Sequence, residues 1–198
     1  MDNVGAPVAQ TRRLGLEGSQ TRARFIDAAE AVLRDEGLPS LTARQVAAKA
    51  GLKTQLLYYY FRTMDDLVLA LVRRVNERRM ERFEEALAAP EPLRALWALN
   101  SDPSGAALAS EITSIATHRE AIRAEIVRSA AQFRAMQVEA VARLMGVDTE
   151  KAAGLVMMAV ALSRMIVSES ALGLTDGHKE GLAIVEAFLG CLPHGRDG

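Results

Sequence analysis

The segment Leu41–Asp66, LTARQVAAKAGLKTQLLYYYFRTMDD, constrains the fold more tightly than any other stretch of the chain. It holds two short runs with helical apolar spacing, separated by Gly51, and helices this short persist in water only when they bury a face against neighbours. Thr42 is placed to accept a hydrogen bond from a first-turn amide, and Gln45, three residues on, to reach back to the Thr42 amide. Val46, Ala47 and Ala50 then face inward, Gly51 permits a tight turn, Leu52 plugs it, and a second helix runs from about Thr54 to Phe61. Tyr58, Tyr59 and Tyr60 point about 100° apart on that helix, so they cannot all be buried. Tyr60 and Phe61 are expected against the flanking helices, with at least one other tyrosine facing solvent.

Apolar spacing is helical through the rest of the chain and never alternates with period two, so the fold class is all-α. A helix from about Thr21 to Glu36 should bury Phe25, Ile26, Ala29, Val32 and Leu33, with Gly37 in the left-handed position past its end. Thr63-Met-Asp-Asp66 starts a long helix ending near Ala88, before Pro90 and Pro92. A short segment carries Leu93, Leu96 and Trp97, and Asp102-Pro103 caps and opens the next, which ends near His118. Further helices are expected over about 120–145, 149–172 and 177–192, punctuated by Gly146 and Gly173. No internal repeat is evident.

Composition narrows the class further. Apolar residues make up 49% and charged residues 25%, which suits a globular domain. No apolar run approaches the roughly 18 residues that cross a bilayer, and the polar N-terminus lacks the middle of a signal peptide, so a cytoplasmic protein without membrane contact is expected. The single cysteine, Cys191, excludes an intrachain disulfide and reads as a buried thiol rather than a redox sensor. Residues 12–64 carry nine basic side chains against five acids, so this third is +4 while the whole chain is −1. A basic end on an otherwise acidic chain suits phosphate attraction at that end. His118, His178 and His194 lack metal-ligand spacing, and neither a Gly-rich phosphate loop nor a G-x-S-x-G elbow occurs. No cofactor, metal or catalytic residue is expected.

Two helices packed through a tight turn can project the outer face of the second into the major groove of DNA. Here that face is Thr54, Gln55, Tyr58 and Tyr59, with Lys53 at its N-terminus. Gln55 can pair with an adenine edge and Leu56 can cover a thymine methyl. The tyrosine hydroxyls and Lys53 can reach phosphates, and Arg44 a base or a phosphate. The competing reading is ordinary core packing, since aromatic residues at helical spacing are usually buried.

Residues 21–71 resemble the N-terminal domain of TetR-family transcriptional regulators. Thr42, Arg44, Val46, Ala47, Ala50, Gly51, Leu57, Tyr58, Tyr60, Phe61 and Leu67 stand in that family's spacing. The resemblance implies a helix-turn-helix DNA-binding domain over 21–66, after a flexible tail over 1–20. A helical ligand-binding and dimerisation body over 67–192 and a tail over 193–198 would follow. It places Thr42, Arg44, Lys53, Thr54, Gln55, Leu56, Tyr58, Tyr59 and Tyr60 at a double-stranded, palindromic operator. Two positions depart from the pattern: Lys53 stands where the family often has a capping serine, which could pass to Thr54, and Met64 where it usually has a phosphate-contacting lysine. Arg62 or the N-terminus of the fourth helix could replace that lysine.

The resemblance also implies a homodimer that answers to a small molecule, most commonly by releasing DNA. Candidate lining for an apolar or amphipathic inducer is Trp97, Leu108, Ile112, Phe133, Met136 and Met157, methionine being adaptable in shape. Candidate dimer residues on the last two helices are Ala152, Ala153, Ala159, Leu182, Val185 and Leu189, joined in a four-helix bundle about a two-fold axis. Arg12 and Arg13 could form a minor-groove arm, against the plainer reading of a solvated tail. The alternatives in other classes are a non-sequence-specific DNA-binding or protein-interaction module, and an enzyme with a scattered site.

Overall fold

In the computed structural model, which describes residues 6–117 and 119–191, the chain is all-α, with no strand among the described residues. The helices are α1 (Ala6–Glu36), α2 (Ala43–Ala50), α3 (Thr54–Tyr60), α4 (Met64–Leu87) and α5 (Pro92–Asn100). They continue as α6 (Pro103–Ala116), α7 (Glu120–Met145), α8 (Thr149–Ala171) and α9 (His178–Cys191). A 3₁₀ turn, Leu38–Ser40, joins α1 to α2. Two compact units result: Met1–Arg74 with Glu111–Arg123, and Val75–Ser110 with Ala124–Gly198.

In the first unit, α1 already begins at Ala6, well before the expected start at Thr21, so the stretch 6–20 is helical and not a flexible tail. Gly15 and Gly18 lower its helix propensity and hide the continuation in the sequence. Phe25, Ile26, Ala29, Val32 and Leu33 are buried as their spacing requires. Val46, Ala47, Leu57, Phe61, Leu67 and Leu71 complete a core to which each large side chain contributes about 1.5–3 kcal/mol. Residues 111–123 return to this unit from far along the chain. Glu111 Oε2 accepts from the Leu38 amide at 3.1 Å, and Arg119 pairs with Asp65. Ile112, Ile115 and Ile122 are buried. The expected boundary at residue 66 missed this segment because no local pattern signals a contact across 73 residues.

Two of the helix ends differ from expectation in an instructive way. Gly37 has φ 77° and ψ 175°, which is outside the left-handed helical well and in a region almost exclusive to glycine. Gln45 does not reach back to the Thr42 amide; its Nε2 donates to Glu36 Oε2 at 2.7 Å. Thr42 does cap α2, its Oγ1 accepting from the Gln45 amide at 3.2 Å. At the start of α4 the reciprocal cap is complete: the Thr63 amide donates to Asp66 Oδ2 at 3.0 Å, and the Asp66 amide to Thr63 Oγ1 at 3.1 Å.

In the second unit, Phe83 and Phe133 meet edge to face at 5.3 Å, within a cluster that includes Ala86, Leu96 and Ala140. Helix α5 packs on α8 and α9. Asp148 caps α8, its carboxylate accepting from the Lys151 amide at 2.8 Å; that bond holds its carboxyl below the ordinary range. Helix α8 corrects the expectation about apolar segments, being long and apolar enough by length and composition to cross a membrane. Its charged residues are confined to Glu150, Lys151, Arg164 and Glu169, and its buried row is Ala152, Val156, Val160 and Ser163. Cys191 closes α9, but its side chain lies outside the described residues, as do His118, His194 and the expected C-terminal tail.

The two glycines make a paired prediction. Gly51→Asn should cost under about 1 kcal/mol, because asparagine tolerates the left-handed well at Gly51. Gly37→Asn should cost about 1–3 kcal/mol, because its ψ excludes side chains. Urea unfolding of both variants measures this, and equal losses would show that the two turns are not distinguished by backbone strain.

Candidate functional site

Helices α2 and α3 are joined by a turn whose hydrogen bonds fix its shape. Gly51 adopts φ 66° and ψ 34°; its amide donates to Ala48 O at 3.0 Å, and the Leu52 amide donates to Ala47 O at 3.0 Å. This double bond closes a helix through a left-handed residue and sets the direction in which the chain leaves. Arg24 Nη2 reaches across from α1 to Ala50 O at 2.7 Å and satisfies another terminal carbonyl. Lys53 occupies the N-cap of α3 with no side-chain cap bond, and Thr54 is the first helical residue rather than the cap.

Leu57 anchors α3 with no exposure, which turns the opposite face outward. On that face Gln55 is exposed, Tyr58 is 49% exposed and Tyr59 78%. Thr54 and Leu56 are half-buried at its edge. Tyr60 turns inward, its ring 6.4 Å from Phe25 and 5.1 Å from Tyr59. A side chain at Gly18 would come within 3.6 Å of the Tyr60 hydroxyl, so the early turns of α1 cover this tyrosine. Of the nine expected contact residues, Tyr60 is therefore one of three that are half-buried, and the one that packs against α1. Thr42 is exposed but committed to its cap, and Arg44 is exposed at the start of α2.

The basic residues of this unit divide into tied and free. Lys49 Nζ donates to Asp35 Oδ2 at 2.8 Å, which lowers the Asp35 pKa and raises that of Lys49. Arg34 pairs with Glu30, and Arg22 lies over the Phe61 ring at 4.9 Å. Among the described residues, Arg44, Lys53 and Arg62 have no ion pair or hydrogen bond through their side chains. All three are exposed, and they flank α3 in sequence on both sides. Met64 opens α4 half-buried, so Arg62 is the nearby free cation. A shallow groove lined by Gly51, Leu52, Lys53, Gln55, Leu56 and Tyr59 runs along the turn and the first turn of α3.

The second unit contains a cavity of about 470 Å³, a volume typical of small-molecule sites. Helix α5 lines it with Leu93, Leu96, Trp97 and Asn100, one stripe of the helix. Val141 and Met145 on α7, Leu155, Met158, Ala159 and Leu162 on α8, and Ile184 and Phe188 on α9 add apolar wall. One end is polar: Gln137 Nε2 donates to Asn100 Oδ1 at 3.1 Å, and Asn100 Nδ2 to Leu96 O at 3.1 Å. Next to it, Ser101 and Ser163 share a hydrogen bond of 3.1 Å.

Of the six residues expected to line a ligand site, only Trp97 lines this cavity. Leu108 and Ile112 are core residues of α6, and Phe133 lies under Arg79. Met136 packs against the Phe83–Phe133 cluster, and Met157 is 58% exposed on the outside of α8. The expectation weighed apolar character residue by residue, whereas the i, i+3, i+4, i+7 stripe of α5 was the signal that could have located the wall. The expected dimer residues also separate. Ala152 is buried within its own unit, Ala159, Val185 and Leu189 line the cavity, Leu182 is half-buried, and Ala153 is exposed.

Residues 25–71 match the model of the tetR family of bacterial regulatory proteins. No curated protein matches the sequence. Among solved structures, the multidrug binding protein EbrR, complexed with imidazole, is 27% identical with a TM-score of 0.60, over 88% of this chain and 96% of its own. A TetR transcription regulator from Haloarcula marismortui is 20% identical with a TM-score of 0.66, over 88% and 98%. A transcriptional regulator from Rhodococcus is 20% identical with a TM-score of 0.63, over 76% and 86%. The chain thus carries a domain of the tetR family of bacterial regulatory proteins at residues 25–71 and shares the fold of these regulators over most of its length.

Proposed function

We propose that this protein is a sequence-specific transcriptional repressor that binds a palindromic operator as a homodimer and is released by a small apolar or amphipathic ligand. The observation that carries the reading is the exposed face of α3, where Gln55, Tyr58 and Tyr59 stand between the free cations Arg44, Lys53 and Arg62. Gln55 supplies base readout, Leu56 an edge contact to a thymine methyl, and Tyr58 and Tyr59 reach the sugar–phosphate walls. Arg44, Lys53 and Arg62 set affinity and its dependence on salt. Thr42 and Thr54 orient the helix ends, and Tyr60 braces α3 from behind.

The inducer occupies the α5–α7–α8–α9 cavity, with its apolar part against Trp97, Val141 and Leu162 and a polar group at Asn100 and Gln137. The crystal structure of EbrR, a multidrug binding protein, supports ligand binding by this fold. Dimerisation uses the outer faces of α8 and α9. There Ala153, Met157 and Met165 are exposed on α8, and Ile184 and Phe188 on α9 are exposed where they also wall the cavity. Such apolar exposure marks an interaction surface.

DNA binding and oligomeric state test the reading. Tyr58→Ala should weaken operator binding at least about tenfold, the scale of one lost base or backbone contact, and leave the protein dimeric. Lys53→Gln should weaken binding to all sequences alike and lower the salt slope by about one. Footprinting that protects no discrete site would favour a coating protein instead. Light scattering on the wild-type chain should give twice the mass of 21.4 kDa. A Met157→Glu variant should shift towards the monomer, because a charge is then buried at an apolar contact.

A further inference from the structure

Three interacting arginines of the second unit, Arg79, Arg134 and Arg164, pair with no anion among the described residues. The Arg79 guanidinium lies 3.6 Å from the centre of the Phe133 ring, half-buried on α4. Burial, and then the charges of Arg164 and Arg134, push its pKa down to about 10, so its guanidinium remains cationic near neutral pH. No carboxylate pairs with any of them among the described residues. Arg82 pairs with Asp102, Arg94 with Glu91 and Glu186, and Arg128 with Glu125, whereas Arg143 likewise has no ion pair among the described residues. Like charges gathered without a counter-ion oppose folding, and a carboxylate brought to them removes that opposition.

The sequence of α8 shows where such a carboxylate stands. Glu150, Ala153, Met157, Ala161 and Arg164 follow one another at steps of three, four, four and three residues, so they form one stripe along the helix. All five are exposed, and Glu150, like Arg164, has no ion pair or hydrogen bond through its side chain among the described residues. The stripe is symmetric about Met157. If a second α8 runs antiparallel and crosses at that methionine, each Ala153 meets Ala161 of the second copy and each Glu150 meets Arg164. The alanines allow the close approach that helix packing requires, and the charges complement one another only in this orientation. A parallel pairing would set Glu150 against Glu150 and Arg164 against Arg164.

We infer that two copies of this chain pack α8 antiparallel about a two-fold axis through Met157, with Glu150 of each copy supplying the missing counter-ion to Arg164 of the other. The inference rests on the dimer reading above and adds its register, its orientation and the pair of ion bridges that fix them. It also gives the arginine group a composite site, complete only when the partner contributes its carboxylate.

Cysteine cross-linking reads the register directly, on the full chain with Cys191→Ser as background. Met157→Cys should form an interchain disulfide under mild oxidation, because the two residues face each other across the axis. Ala153→Cys and Ala161→Cys should each fail to cross-link alone and should cross-link when the two single variants are mixed. Charge reversal is the second arm. Glu150→Arg and Arg164→Glu should each raise the dimer dissociation constant at least tenfold, since every dimer contains the contact twice, and the double variant should return to within about threefold of wild type. Preferential self-cross-linking at Ala153 or Ala161 would overturn the register while leaving a dimer in place. So would a double variant no better than its worse parent. A wild-type chain that stays monomeric at micromolar concentration would instead remove the dimer reading itself, and with it this inference.

Discussion

The left-handed turn at Gly51 is the constraint on which the outward geometry of α3 depends. Its two hydrogen bonds, from Gly51 to Ala48 and from Leu52 to Ala47, fix the exit direction of α3 through the backbone alone. Arg24 then fastens the same turn to α1, and Leu57 seats α3 against the core. With Leu57 fully buried, the helical period leaves Gln55, Tyr58 and Tyr59 little choice but to face outward. A helix of seven residues would not hold this orientation alone. The turn and its neighbours supply the rigidity that the helix lacks.

Charge counting along the chain gives only the outline of the electrostatics. The excess of basic residues over 12–64 suggests a positive end, but several of those residues are engaged within the protein. Lys49 is held by Asp35, Arg34 by Glu30, Arg24 by a helix carbonyl and Arg22 by an aromatic ring. Among the described side chains of that stretch, Arg44, Lys53 and Arg62 remain free, positioned before and after α3. A phosphate backbone responds to that local arrangement more than to the net charge of the unit.

The sequence is most legible where structure is set by neighbours a few residues apart. The start of α7 at Glu120 and its end at Met145, the Thr42 and Thr63 caps and the Gly51 turn all follow from local chemistry. Legibility fails where the cause is distant. The return of residues 111–123 to the first unit depends on Glu111 meeting the Leu38 amide, and nothing near either residue announces it. The cavity wall likewise draws on four helices, so apolar residues such as Phe133 and Met157 look alike in sequence and end up under an arginine or in solvent. Helix α1 is a third case: its two glycines suggest a break, but the helix passes through them, and Gly18 leaves room for Tyr60.

Helix α8 shows how several demands converge on one segment. One row, Ala152, Val156, Val160 and Ser163, is buried in the core of its own unit. A second, Leu155, Met158, Ala159 and Leu162, lines the cavity. The third, Ala153, Met157, Ala161 and Met165, is left exposed. At about 100° per residue these rows divide the whole circumference, so no polar face remains. A helix that is apolar all round is expected either inside a membrane or inside a protein, and α8 meets the length and composition of the first. Its three rows argue for the second. The first faces the core and the second the cavity, and the third is the row that the proposed antiparallel pairing would cover, with Glu150 and Arg164 at its ends, where a second copy would satisfy their charges and a lipid chain would not.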